Sequence, residues 1–281
     1  MARRFRSVRA ACAALALTAS SGAAAQDAPP AERPSLAVMG TIPLVWGEAA
    51  DLGELIGGGY QPHWARAVLE RQWQLVPLDS LTAEALAGEA LLLLAQPRGL
   101  APQENVALDA WVRAGGRLLL LADPLMTGES RFGLGDRRRP QGTALLSPIL
   151  AHWGLELQFD EQQPAIAEVR EIAGARLPLN LPGRFALRGP AQGSCELGGE
   201  AVLARCSLGE GSVVLLADAA LLDFSGPAEG AADALDWLTR LAFAQAGEIT
   251  GTKSEEFAQT PFPEGSISPV DRSAEVSPPP D

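Results

Sequence analysis

Residues 90–124 read ALLLLAQPRGLAPQENVALDAWVRAGGRLLLLADP, and this stretch decides the fold prediction. Two continuous apolar runs, at 90–95 and 118–122, flank an amphipathic segment at 102–113. Strands that are buried on both faces, as in parallel sheets, have such continuous apolar sequences. The segment between them has the i, i+3, i+4 spacing of a helix face, formed by Leu108, Trp111 and Val112. The stretch therefore predicts a βαβ unit with a right-handed crossover.

Similar patterns extend this unit in both directions along the chain. Apolar runs at 36–39, 75–78 and 213–217 predict further strands, and 231–246 has the spacing of a closing helix. The segment at about 160–208 is rich in proline and predicts an irregular excursion with short antiparallel strands. We therefore expect an α/β domain over residues 34–246, with three layers and a mainly parallel, flavodoxin-like sheet.

The two ends of the chain differ in composition from this domain. Residues 1–25 combine four arginines, an Ala/Leu-rich stretch and an A-x-A-type site, which predicts a cleavable signal peptide. An uncleaved N-terminal anchor is the alternative. Residues 26–33 form a Pro/Ala-rich spacer, and residues 247–281 predict a disordered acidic tail. The predicted location of the mature chain is therefore periplasmic or secreted.

Charge excludes some partners. Cleavage removes four arginines and no acidic residue, so the formal net charge changes from −12 to −16. A protein this acidic is repelled by phosphate backbones, so no nucleic-acid partner is expected. The mature sequence also lacks a run of about 18 apolar residues, so no transmembrane span is predicted.

Two cysteines, Cys195 and Cys206, remain after cleavage. They flank a predicted strand, and export would place them where disulfides persist. A two-residue turn at Gly198-Gly199 would place Cys195 opposite Val202, so a disulfide requires a longer loop or a bulge. Two buried thiols are the alternative.

Two carboxylates follow predicted strands directly. Asp123 ends the run at 118–122, and Asp218 ends the run at 213–217. Ligands of open parallel sheets bind in the crevice at these strand ends, so the pair is a candidate for holding a polar ligand or a metal. The alternative is that each aspartate caps the turn that follows it. No histidine or third carboxylate completes a metal shell, so neither a metal nor a cofactor is predicted.

One local basic cluster stands out on this acidic chain. Arg131 and the run Arg137-Arg138-Arg139 form a candidate patch for an anion or an acidic partner. A solvated loop is the alternative.

Three further features have structural interpretations. Gly57-Gly58-Gly59 precedes a predicted helix but lacks the lysine and hydroxyl residue of a phosphate-binding loop, which favours a flexible connection. His63 and His152 have no evident nucleophilic partner in the sequence, so structural roles are expected for both.

Two segments carry a family resemblance. Residues 111–124 (WVRAGGRLLLLADP) and 209–218 (GEGSVVLLAD) resemble the "ABC-type uncharacterised transport system" domain known from gliding-motility auxiliary proteins. Residues 234–238 (ALDWL) are similar to the closing helix of that family. The resemblance implies a class I glutamine-amidotransferase-like architecture and an envelope protein partner. Family members generally carry membrane spans, whereas none is predicted for this mature chain, so any role in transport is expected to be indirect.

Amidotransferase chemistry requires a nucleophilic cysteine on a strand-to-helix turn, with a histidine and a carboxylate. The turns after the two central apolar runs contain neither cysteine nor serine at their centre. We therefore expect an exported accessory or binding protein that is not an enzyme and has no catalytic residues. The alternative is a hydrolase, or an enzyme that binds a metal or another ligand, using Asp123 and Asp218.

Overall fold

The computed structural model describes residues 33–48, 52–57, 61–189, 193–223 and 226–244. The predicted signal peptide, all but the last residue of the spacer, and the predicted tail lie outside the described residues. Eleven strands are found in the described part of the chain: β1 (Ser35–Gly40), β2 (Gln74–Pro77), β3 (Leu91–Ala95), β4 (Arg117–Leu121), β5 (Leu155–Gln158), β6 (Ala167–Ile172), β7 (Ala175–Asn180), β8 (Arg184–Leu187), β9 (Ser194–Gly198), β10 (Leu203–Leu208) and β11 (Gly211–Leu216).

The helices are short apart from two. They are α1 (Leu52–Gly57), α2 (Trp64–Leu69), α3 (Ala83–Leu86), α4 (Pro102–Arg113), α5 (Ser147–His152) and α6 (Ala231–Phe243), with a 3-10 turn at Ala220–Leu222. Helix α4 has the bounds predicted from its spacing. Among the described residues, none of these helices has the length and apolar character that a membrane crossing needs.

The main sheet has seven strands in the order β2-β1-β3-β4-β11-β10-β9. Its first five strands are parallel, whereas β10 and β9 pair antiparallel. Two separate antiparallel sheets are formed by β5 with β8 and by β6 with β7. Four of the eight strand pairings are thus parallel and four are antiparallel.

The prediction of a mainly parallel, flavodoxin-like or class I amidotransferase-like sheet in three layers is therefore wrong. The physical reason is the length of the connections after residue 160. Strands β10 and β11 are joined by two residues, Gly209 and Glu210, and β9 and β10 by four, 199–202. Such short connections form hairpins, because a parallel crossover needs about a dozen residues. Gly209, at φ +60°, supplies the backbone conformation that a two-residue hairpin requires.

The core lies on both faces of the main sheet, since alternate residues of its central strands point to opposite sides. On one face, Leu119 and Leu121 of β4 pack with α2, α6 and the β6–β7 sheet. On the other face, Leu118 and Leu120 pack with α3, α4, α5 and strands β5 and β8. Each face of the main sheet is therefore covered by helices together with a small antiparallel sheet, and not by helices alone as a flavodoxin-like fold requires.

Candidate functional site at the carboxyl ends of the central strands

Strands β4 and β11 are parallel neighbours, and their last paired residues are Leu121 and Leu216. Asp123 and Asp218 each follow two residues later, so the sheet brings the two predicted carboxylates to the same edge. Both residues have no exposed surface. The pair therefore lies inside the protein and not in an open crevice.

Each carboxylate accepts hydrogen bonds from two backbone N–H groups. The Oδ1 atom of Asp123 accepts from Leu125 N at 2.8 Å, and its Oδ2 atom accepts from Ala219 N at 3.1 Å. Asp123 therefore holds the turn that follows β4 and also the backbone that follows β11.

Asp218 also accepts a backbone N–H hydrogen bond at each of its two oxygens, but from different residues. Its Oδ2 atom accepts from Asn180 N, at the end of β7, at 2.8 Å, and its Oδ1 atom accepts from Ala220 N. The arrangement matches the capping interpretation of the sequence, because every carboxylate oxygen of the pair already has a backbone donor.

Burial makes the charged form of this pair unfavourable. It raises the pKa of Asp123 to about 6, against the opposing effect of the Ala219 and Leu125 N–H groups. Burial and then the negative charge of Asp123 raise the pKa of Asp218 well above its ordinary value of 3.8, while its backbone donors and the charge of Arg170 oppose the rise. The pair therefore takes up protons at a pH where exposed aspartates are fully ionised.

Gln96 belongs to the same edge and was not a candidate in the sequence. It directly follows β3, is fully buried and has a backbone φ of 47°. Its Oε1 atom accepts from Asp123 N at 2.8 Å, and its Nε2 atom donates to Asp123 O at 3.0 Å. The same Nε2 donates to Gln141 O at 2.8 Å. Its only signal in the sequence was a polar residue at the end of an apolar run.

Strand β1 ends in the same way. The hydroxyl of Thr41 donates to Gln96 O and accepts from Gln141 N at 2.9 Å. Four adjacent parallel strands, β1, β3, β4 and β11, are thus each followed by a polar side chain that bonds the protein's own backbone. We call these four side chains the strand-end row: Thr41, Gln96, Asp123 and Asp218.

The described residues contain no group of three or more His, Cys, Asp and Glu side chains arranged to hold a metal ion. The aspartate pair would offer two carboxylates to a cation, but its four oxygens face N–H donors. Chemically, the strand-end row is suited to fixing loops on the sheet.

The predicted arginine patch is largely engaged with the chain's own groups. Arg131 donates to Glu48 O at 2.8 Å and pairs with the Glu54 carboxylate at 3.3 Å. Arg138 pairs with Asp136 at 2.7 Å.

Two of these arginines organise the loop around one aromatic ring. The Arg138 guanidinium lies 4.2 Å from the centre of the buried Phe132 ring, and Arg139 donates to Phe132 O at 2.7 Å. Arg137 is exposed to solvent. The loop after β4 is therefore held by its arginines, which leaves a smaller basic surface than the sequence indicated.

Cys195 and Cys206 are joined by a disulfide. They are directly opposite each other in the β9–β10 pairing, because the connection has four residues and not the two of the tight turn considered from the sequence. Cys206 is fully buried. Neither sulfur is available as a nucleophile while the disulfide is intact.

Each histidine has a structural environment. His63 is almost fully buried and is the N-cap of α2, where its Nδ1 atom accepts from Ala65 N at 3.1 Å. His152, in the last turn of α5, lies 3.3 Å from the Asp109 carboxylate. Gly57 ends α1, and Gly58 and Gly59 lie outside the described residues.

The glycines of the two resembling segments have a packing role. A Cβ atom on Gly116 would lie 2.5 Å from the Trp111 ring, and one on Gly209 would lie 2.6 Å from Arg113 O. On Gly211 it would lie 2.0 Å from Val112 O. The two segments thus form one structural unit, in which the end of α4 and the start of β4 pack directly on the start of β11.

No family model matches the chain, and no curated protein matches it in sequence. Solved structures give weak likenesses. The N-terminal domain of mmIFT52 has 14% identity over 73% of this chain and 97% of that domain, with a TM-score of 0.45. The β-galactosidase of the Antarctic haloarchaeon Halorubrum lacusprofundi has 15% identity over 77% of this chain and 31% of its own length, with a TM-score of 0.43.

A third likeness is the exo-β-1,4-mannosidase Op5Man5 of Opitutaceae bacterium strain TAV5. It has 17% identity over 74% of this chain and 34% of its own length, with a TM-score of 0.37. The chain thus spans about a third of the length of these two glycosidases. Likenesses this weak carry nothing about the function of this chain.

Proposed function

We propose that the mature chain is an exported, non-enzymatic binding domain that serves an envelope ABC-type transport system. The observation that carries the proposal is the strand-end row. Its polar groups occupy the edge where open sheets bind ligands, yet each of them bonds backbone groups of the protein. The alternative of a hydrolase or another enzyme that uses Asp123 and Asp218 is disfavoured, because both carboxylates are fully buried and bonded to backbone N–H groups.

The two resembling segments support the same interpretation. Their glycines permit close packing, and their terminal aspartates hold turns, so the features that they share with the ABC-type domain specify a scaffold. A scaffold of this kind would act through its surface.

The surface beside the strand-end row contains large exposed apolar side chains. Trp46, in the loop after β1, is 50% exposed, and Leu134, in the loop after β4, is 92% exposed. The salt bridge between Arg131 and Glu54 and the contacts of Arg131 with Glu48 connect these two loops and α1. We propose that this loop surface contacts the envelope partner, since exposed apolar residues are enriched where proteins associate.

The test is affinity capture with tagged residues 26–281 from detergent-solubilised envelopes of the native host. We expect subunits of an ABC-type system to be enriched, and the double variant Trp46→Ser/Leu134→Ser to reduce their recovery. Val106→Ser is the matched control, because Val106 is also 70% exposed but lies on α4. Recovery of no such subunit, or equal loss with the control, would contradict the proposal.

A further inference from the structure

A cleft opens at the amino edge of the main sheet, the edge opposite the strand-end row. It lies between α3 with the loop that leads to β3 and the carboxyl-terminal half of α4, and its volume is about 430 Å³. Ala90 and Gly116, which directly precede β3 and β4, belong to its lining. We call it the α3–α4 cleft. Its volume lies in the range of sites that bind small molecules.

The lining of the cleft combines apolar surface with one carboxylate. It consists of six alanines, three glycines, Leu86, Trp111 and Glu89. Among these described residues, Glu89 is the one that carries a charge. The alanines and glycines only give the cleft its width, so the chemistry of a ligand that enters it is set by the indole ring and the carboxylate.

The ring of Trp111 is held in place by the protein itself. Its Nε1 atom donates to the backbone oxygen of Glu89 at 2.8 Å. Gly116 lies against the ring, since a Cβ atom there would be 2.5 Å from three of the ring atoms. A ring fixed in this way loses little freedom when a ligand packs on it. Aromatic faces attract both flat apolar groups and cations.

The carboxylate of Glu89 is also oriented, but its charge is not neutralised. Its Oε2 atom accepts a hydrogen bond from the Ser35 hydroxyl at 2.8 Å. A hydroxyl donor leaves the negative charge in place, and within the described part of the chain no arginine or histidine pairs with this carboxylate. The formal net charge of −12 adds a field that attracts cations to the protein. Local and global charge therefore favour a positively charged ligand.

We propose that the α3–α4 cleft binds a small organic cation, in which an ammonium group is attached to an apolar or aromatic body. The body packs on the Trp111 ring and the alanine walls, and the ammonium group lies beside the Glu89 carboxylate. This site does not depend on the proposed function, because the loop surface with Trp46 and Leu134 lies at the carboxyl ends of the strands.

The test is an NMR titration of the mature chain, residues 26–281, with 2-phenylethylammonium as the probe. We expect saturable shifts at the indole N–H of Trp111 and at backbone amides of 86–90 and 107–116. The uncharged analogue 2-phenylethanol has the same ring and chain length, and its Kd should be about threefold to tenfold higher. Equal affinity for the two compounds, or no saturable shift at the cleft, overturns the proposal.

Two pairs of variants locate the site. Glu89→Gln keeps an acceptor for Ser35 but removes the charge, so the Kd of the probe should rise about threefold. Glu84→Gln removes the same charge from α3 outside the cleft and should leave the Kd unchanged. Equal effects would show that net charge alone acts and overturn the proposal.

Ala110 is exposed on α4, so Ala110→Leu narrows the cleft without entering the core. It should raise the Kd of the probe about tenfold or more, the effect of filling a binding pocket. Val106→Leu, on the same helix but outside the cleft, is its control. Unchanged binding by Ala110→Leu overturns the assignment of the cleft. If Glu89→Gln does not fold, the charged and uncharged probes decide the role of charge on the unmodified chain.

Discussion

The two ends of β4 and β11 bring the same pair of strands together in opposite ways. At their amino ends there is no room for a side chain, because a Cβ on Gly211 would meet the backbone oxygens of Val112 and Gly116 and a Cβ on Gly116 would meet the Trp111 ring. At their carboxyl ends Asp123 and Asp218 are buried as polar side chains, and each is compensated by two N–H donors. Strand ends can thus be fixed by close packing or by hydrogen bonding, and only the first leaves a clear glycine signature in the sequence.

The largest effect should come from adding a side chain at the amino end of β11. In Gly211→Ala, the new Cβ would lie 2.0 Å from Val112 O and 2.4 Å from Gly116 O, both of them backbone atoms. We expect the free energy of unfolding to fall by about 3 kcal/mol or more, as in severe overpacking. Urea denaturation measures the loss.

Gly142→Ala is the matched control for that change. No atom lies within 4 Å of the added Cβ at Gly142, so its effect should stay within about 0.5 kcal/mol. If Gly211→Ala were no worse than this control, close packing at the amino end would not be required.

The second effect concerns the antiparallel edge that extends the sheet beyond β11. The disulfide closes a short loop, with a sequence separation of 11 between Cys195 and Cys206. In the double variant Cys195→Ser/Cys206→Ser, the free energy of unfolding should fall by about 2–3 kcal/mol, from the lost constraint on the unfolded chain. Reduction of the unmodified protein should give the same loss in denaturant titrations, and no loss would show that β9 and β10 need no covalent link.

The third effect is a pH dependence from the carboxyl end. Between about pH 4 and pH 7, the unmodified chain should lose stability on the order of 2 kcal/mol from the ionisation of Asp123, whose pKa is about 6. Asp123→Asn should be less stable at low pH, because an amide cannot accept at both positions. Its disadvantage should shrink as the pH rises. A constant difference across this range in urea titrations would contradict burial of the charge.

The smallest effect concerns Glu104, a carboxylate whose pKa is lowered, whereas that of Asp123 is raised. Glu104 is also buried, but its bonds with Arg98, at 2.7 and 2.8 Å, lower its pKa to about 2. Stability from Glu104 is therefore complete above its ordinary value of 4.5 and is lost as the pH falls through about 2. Glu104→Gln should lose about 1 kcal/mol at neutral pH. It should also be less sensitive to acid, and a pH dependence with the sign of Asp123 would refute the pairing.

Sequence patterns predicted the parts of the fold that are specified locally. The continuous apolar runs of β3, β4 and β11 and the spacing of α4 are properties of single segments. Strand β6 is mostly exposed and, among the described strands, pairs with β7 alone, so it has no comparable apolar run. The prediction of a mainly parallel sheet failed because β9 and β10 are joined by a short connection. The length of that connection, and not the apolar runs, decides that the two strands pair antiparallel.

For the candidate site, the sequence likewise identified single residues but not the partners that they bond. Asp123 and Asp218 could be identified from their positions after apolar runs, but their roles depend on Ala219 N and Asn180 N. Neither partnership is visible in the sequence, because Ala219 is 96 residues from Asp123 and Asn180 is 38 residues from Asp218. Gln96 had no signature of its own, since a glutamine after a strand is ordinary on an exposed turn.

The central claim is that the strand-end carboxylates hold the fold, and Asp218→Ala at about pH 5 tests it most directly, since burial favours the protonated carboxyl there. The substitution leaves Ala220 N and Asn180 N without their acceptor. We predict that the free energy of unfolding, from urea titration, falls by about 2 kcal/mol or more, the effect of orphaning buried donors. An unchanged or higher value would contradict the claim, because removal of a carboxylate held only for a ligand should not weaken the fold.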